Sequence, residues 1–280
     1  MIFATFRFLI ILSCRFAFWI GFYFSRKRRK IAINNLNLCF PIKNKSDRKK
    51  NKKIARDSFI SLGHSLADFL LLNFYTKKRI EKYVKIKNFY HFEKVLKQCN
   101  GLILSTAHFG SWELAAHFLA TIGFKSLILY TPIKKFYWLE KFVKKKREIG
   151  GNILISKYNS LLTVYKTLKH GEVVSFITDQ HCFPVDGLKV PFFGYKVWTH
   201  TAFIKLSLKI GAPIVPGFIF KKNLSSYCVE FFDPLYPQDF IKFDDAEYRM
   251  ALASNNILEK VIRKNPNHWM WAHRRFKNIL

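Results

Sequence analysis

The chain has 280 residues, with 48 Lys or Arg against 18 Asp or Glu, a net charge of +30, and half of its residues hydrophobic. That length can bury a large core, and the hydrophobic fraction excludes a disordered chain in spite of the charge. Five cysteines (14, 39, 99, 182 and 228), odd in number and without a C-x-x-C pair, argue against a disulfide framework or a structural zinc site. Few carboxylates cluster, which disfavours metal-ion chemistry, and a surface this basic points to anionic partners: phospholipid, nucleic acid or an acidic carrier protein.

Residues 1–24, MIFATFRFLIILSCRFAFWIGFYF, form an apolar stretch long enough for a helix to reach across a bilayer core. Arg7 and Arg15 count against an ordinary span, because each is costly at the bilayer centre. Eight residues apart, they project about 80° from one another around a helix and share a flank. Aromatic residues gather at the end of the stretch, as in an interfacial belt. These features predict an amphipathic membrane anchor over 1–24. No A-x-A-like site follows, so cleavage as a signal peptide is not expected. Residues 26–56 hold 13 Lys or Arg and one Asp, a basic segment suited to acidic head groups. The rest of the chain, 25–280, reads as one domain.

Apolar residues at helical spacing predict a helix over 54–75, with His64 and Asp68 one turn apart as a local pair rather than a metal site. A βα rhythm follows. Strands are predicted at 101–106, 127–130, 153–155, 173–178, 214–220 and 227–232. Helices are predicted at 112–122, 136–149, 161–169 and 201–210. Strands alternating with helices predict an α/β fold, a mostly parallel central sheet flanked by helices behind the N-terminal membrane-associating helix.

The chemistry concentrates at Ser105-Thr106-Ala107-His108-Phe109-Gly110-Ser111-Trp112-Glu113-Leu114. A histidine leaves an apolar strand, a glycine permits a tight turn, and a carboxylate opens the next helix. On a continuous helix His108 and Glu113 would diverge by about 140°, so they can meet only if the backbone turns at Gly110. A carboxylate on one imidazole nitrogen fixes the tautomer, and the other nitrogen can then accept a proton from an attacking hydroxyl. Alone, H-x4-E is a weak pattern.

Five further blocks accompany it in order: KIAINNLNLCFP (30–41), KKKREIGG (144–151), ITDQ (177–180) with VPFFG (190–194), GAPIVPGF (211–218) and NHWMWAHRRFK (267–277). Together with HFGSWEL (108–114) they resemble the lipid A biosynthesis acyltransferase family, of the lauroyl and myristoyl type, along nearly the whole chain. The resemblance implies an acyltransferase with His108 as general base and Glu113 as its partner. It implies that Arg147 stabilises negative charge or holds a phosphate, against the alternative of a solvated member of the 144–147 run. Asp179 and Gln180 are expected to support the site from a strand end, and Phe192, Phe193 and Gly194 to shape an apolar wall for an acyl chain. Trp269, Trp271, His273, Arg274 and Arg275 either face a phosphate or fasten the C-terminus. Tyr195-Lys196-Val197-Trp198 is bulkier than the family pattern after FFG, so Thr199 or Thr201 corresponds to the family threonine. His268 stands where a glutamine is common.

The resemblance further implies an acyl carrier protein thioester as donor and the hydroxyl of an anionic lipid A precursor as acceptor. No metal or cofactor is implied, since a thioester is already activated. The cytoplasmic face of a bacterial inner membrane is the implied location, with a membrane surface but no nucleic acid as partner. A lysophospholipid or glycolipid acceptor is the alternative within enzymes. A membrane-tethered nucleic-acid-binding protein would account for the charge but not for His108 and Glu113.

Overall fold

The structure, a computed structural model, describes residues 2–98, 101–158, 160–277 and 279. Short β-branched and leucine-rich runs form its sheet: β1 (Val84–Lys87), β2 (Leu102–Thr106), β3 (Ser126–Tyr130), β4 (Ile153–Ser156) and β5 (Val173–Ile177). A two-stranded hairpin, β6 (Gly187–Phe192) and β7 (Tyr195–His200), precedes β8 (Ile214–Lys221) and β9 (Tyr227–Phe231). The main sheet has seven strands in the order β1-β9-β8-β2-β5-β3-β4. Within it β2, β3, β4, β5 and β8 run parallel, β9 is antiparallel to β8, and β1 is parallel to β9. This is the mostly parallel α/β fold expected. Strands β2 and β8 sit mid-sheet and read as continuous apolar runs because both faces are covered.

Eleven α-helices are assigned among the described residues. The first three are α1 (Ile2–Phe24), α2 (Arg26–Cys39) and α3 (Lys45–Leu70), then α4 (Lys77–Ile80) and α5 (Tyr90–Gln98). Between strands lie α6 (Trp112–Thr121), α7 (Tyr137–Glu148), α8 (Leu161–Lys169) and α9 (Ala202–Ile210), followed by α10 (Pro237–Phe240) and α11 (Ala246–Lys264). Helix α3 starts nine residues before the predicted boundary because Asn44 caps it, accepting from the Asp47 N–H at 3.0 Å. Its lysine-rich first half continues the helix without contributing to the apolar periodicity.

Helix α1 is long and apolar enough to cross a membrane, and most of it is not covered by protein. It nevertheless packs along α3, where a side chain at Gly63 would stand 2.5 Å from the Cys14 carbonyl oxygen. One of its arginines is buried. The Arg7 guanidinium donates to Tyr75 Oη (2.6 Å) and Tyr227 Oη (2.7 Å) and lies 3.6 Å from Asp68. Asp68 in turn accepts from Tyr227 and, at 2.6 Å, from Ser111 Oγ. His64 sits on the Tyr227 hydroxyl at 2.6 Å, so the His64–Asp68 pair belongs to a larger buried polar cluster. Cys14, Cys39, Cys182 and Cys228 are free thiols, and Cys99 lies outside the described residues.

Candidate active site

In an open α/β sheet, ligands bind beyond the carboxyl ends of the strands, near the point where the connections diverge. Strands β2 and β5 are parallel neighbours, and the chain leaves their carboxyl ends at His108 and Asp179. The adjacency brings two residues 71 apart in sequence into contact. Gly110 makes the turn after β2, with φ +58°; a Cβ there would stand 2.2 Å from the Ile219 carbonyl oxygen. The C-terminal segment then clamps the turn. Gly110 N–H donates to the His268 carbonyl (2.9 Å), and Met270 N–H to the His108 carbonyl (3.2 Å).

His108 Nδ1 lies 2.9 Å from Asp179 Oδ1, and the second carboxylate oxygen accepts from His108 N–H (3.2 Å) and Trp269 Nε1–H (2.8 Å). The pair fixes the tautomer with the proton on Nδ1 and leaves Nε2 as the basic nitrogen. Burial works against a charged imidazole, but Asp179, with Glu113 nearby, outweighs it and raises the His108 pKa. Burial likewise opposes the Asp179 carboxylate, but His108 and Trp269 hold its pKa below the ordinary value. Gln180 places its amide 3.4 Å from His108 Nδ1, and Trp112 packs edge-on against the ring at 5.1 Å between centroids.

Glu113 occupies a different place from the one the sequence predicts. Helix α6 carries it to Arg147 on α7, which holds both carboxylate oxygens through Nε (3.0 Å each) and one through Nη2 (2.6 Å). The carboxylate bonded to His108 is Asp179, which the sequence placed only as support. The reason is geometric: the start of α6 lays Trp112 on the ring and gives the Glu113 carboxylate to Arg147, while the pairing of β2 with β5 sets Asp179 beside His108. Arg147 is therefore not a solvated member of its lysine run. His108, Glu113 and Arg147 each keep part of their surface open, whereas Asp179 is closed off. A base held by a buried carboxylate, beside a partly open guanidinium–carboxylate pair, can deprotonate a hydroxyl next to a developing oxyanion.

Residues 3–278 match the family described as "Bacterial lipid A biosynthesis acyltransferase". The chain belongs to that family. It is an O-acyltransferase. Among its relatives, the lipid A biosynthesis lauroyltransferase of Escherichia coli (strain K12) is 29% identical over 259 residues, covering 91% of this chain and 80% of that protein. The lipid A biosynthesis palmitoleoyltransferase of the same strain is 27% identical with the same coverage. A solved structure of the 1-acyl-sn-glycerophosphate acyltransferase PlsC from Thermotoga maritima aligns with a TM-score of 0.43 at 13% identity, covering 92% of this chain and 99% of that one. An apolar N-terminal helix and membership of this acyltransferase family both fit association with a membrane.

Several other predicted site residues of the acyltransferase are structural. Arg275 is fully buried and donates to the carbonyls of Gln180 (2.8 Å) and Trp198 (2.7 Å) and to Thr199 Oγ1 (3.0 Å). Burial lowers its pKa to about 10, and it holds the hairpin to the C-terminal segment instead of facing a phosphate. Thr199 and Thr201 are buried too, the former bonded also by Asn255 at 3.1 Å. Phe192 and Phe193 pack in the core with Trp269, Trp271 and Phe276 rather than along an open wall. Phe193 and Gly194 are the two turn residues between β6 and β7, with φ of 51° and 81°, and both conform to a hairpin that needs positive φ twice. Burial pushes His268 and His273 down to about 4, so neither supplies a cation at neutral pH. Arg274 is exposed. It lines a basic pocket of about 300 Å³ with Lys27, Lys30 and Lys277, floored by Asn35, which donates to the Trp271 and His273 carbonyls.

Proposed function

We propose that the protein transfers a fatty acyl group from an acyl carrier protein thioester to a hydroxyl of a lipid A precursor, at the cytoplasmic face of a bacterial inner membrane. His108 Nε2 takes the proton of the acceptor hydroxyl as its oxygen bonds to the thioester carbonyl carbon. The tetrahedral intermediate then collapses, the carbon–sulfur bond breaks, and the imidazolium returns its proton to the departing thiolate. Asp179 keeps the proton on Nδ1 and balances the imidazolium. Glu113 acts by fixing Arg147, whose charge favours the oxyanion or a phosphate of the acceptor.

The observation that carries this reading is the His108–Asp179 pair at 2.9 Å, locked by Trp269 at the carboxyl ends of β2 and β5. Membership of a family whose members are named for lipid A acylation supports the acceptor. The test is acyl transfer from a carrier thioester to a lipid A precursor by the purified full-length protein. His108→Ala should lose roughly 10²–10⁴-fold in rate. Unchanged rates in that variant would overturn the mechanism. Mass spectrometry of lipid A from cells with and without the gene tests the acceptor: a missing acyl chain supports it. Loss from another lipid class, with lipid A intact, would overturn it.

A further inference from the structure

Helix α7 carries Arg147 on its inner face, and none of its 12 residues is fully buried. Residues spaced i, i+3 and i+7 share one face of a helix. Glu140, Val143 and Arg147 form that face here: Glu140 accepts from Tyr130 Oη (2.5 Å) and from the Ile133 N–H (2.7 Å), Val143 packs on the core, and Arg147 meets Glu113. The opposite face consists of Trp138, Lys141, Phe142 and Lys145, all exposed, and Tyr137 is exposed on the flank at the start of the helix. Tyr137 is 80% and Trp138 69% exposed, with Phe136 beside them at 54%. Aromatic rings this open are unusual on a surface that contacts only water. Aromatics alternating with lysines are the composition of an interfacial membrane helix.

The face is continuous with the apolar side of α1. Phe142 stands 6.2 Å from Phe69 at the end of α3, and Lys146 Nζ donates to the Leu70 carbonyl at 2.7 Å. Phe74, just beyond, packs 5.7 Å from the exposed Phe6 of α1. An apolar belt thus runs from α1 across the end of α3 to α7. The carboxylates of α7 are paired: Glu140 as above, and Glu148 with Lys144 at 3.9 Å. The outer face is left cationic.

We propose that α7 is a second membrane-contacting element. Its aromatic face enters the interface of an anionic phospholipid bilayer and its lysines rest on the lipid phosphates. With α1 and α7 both on the bilayer, the opening beside Glu113 and Arg147 is held at the lipid surface, whatever the acceptor proves to be.

Full-length protein on vesicles of mixed phosphatidylethanolamine and phosphatidylglycerol tests this. Brominated acyl chains should quench a tryptophan component that is present in the wild type and missing in Trp138→Phe. Trp138→Ser with Phe142→Ser should lower vesicle partitioning roughly tenfold. Trp138 is the more open of the two, so Trp138→Ser alone should lower partitioning without moving thermal unfolding, whereas Phe142 also packs on Phe69. Identical quenching in wild type and Trp138→Phe would overturn the proposal. So would a Lys141→Glu, Lys145→Glu variant that loses affinity for an acidic carrier protein while the Trp138 signal stays insensitive to the brominated lipid, which would assign the face to a protein partner.

Discussion

Asp179 is only 2% exposed, yet it receives three donors, so its charge is satisfied and its position fixed. Its effect on His108 gives a signed prediction. Because Asp179 raises the His108 pKa, Asp179→Asn should lower it, and the ascending limb of kcat/KM against pH should move to more acidic pH. The plateau should fall by roughly 10²–10⁴-fold, since an amide can favour the wrong tautomer. A pH profile of the variant checks both; a limb displaced to alkaline pH would contradict the assignment. Gly110→Ala should be poorly folded, because its Cβ would meet backbone at Ile219. His108 and the need for a turn at Gly110 were legible in the sequence. The identity of its carboxylate partner was not, because Glu113 is five residues away and Asp179 is brought in only by strand order, which no local pattern encodes.

At the scale of elements, the rhythm of apolar runs located six strands and the helices between them to within a residue or two. It missed β1, whose Val-Lys-Ile-Lys run is short and lies at a sheet edge, and the β6–β7 hairpin, whose Pro191 obscures a strand pattern. It also treated α1 as separable from residues 25–280. The sequence marked Arg7 as a cost to a membrane span, and the structure accounts for it through Asp68, Tyr75 and Tyr227. Removing residues 1–24 would leave the Asp68 carboxylate buried without its cation. Arg7→Ala should therefore destabilise the whole protein by about 3–5 kcal/mol, whereas Arg15→Ala, at a half-buried position, should cost less. Denaturant unfolding of both variants in the same detergent checks this. Equal stability would show that α1 is a mere appendage. Ser111, which opens α6 and bonds Asp68, ties this cluster to the helix that bears Glu113, so Arg7→Ala should also reduce turnover.

For the whole molecule, a charge of +30 and an apolar belt act together, and they differ in how they respond to salt. Exposed charges more than about 8–10 Å from their partners are screened at physiological ionic strength, whereas apolar burial is not. The basic residues of α2 and α7 should therefore set how fast and how selectively the protein reaches anionic lipid, and α1 should set whether it stays. Flotation with phosphatidylglycerol-containing vesicles should show binding that weakens from low to high salt without reaching zero. Vesicles of phosphatidylcholine alone should bind less and be nearly indifferent to salt. Exchanging the exposed Arg26, Lys27 and Lys30 for glutamine should flatten the salt dependence, at roughly 1 kcal/mol of lost attraction per charge removed, while high-salt binding persists. Complete release of the wild-type protein at high salt would mean that charge alone holds it, and that the exposed rings of α1 do not enter the bilayer.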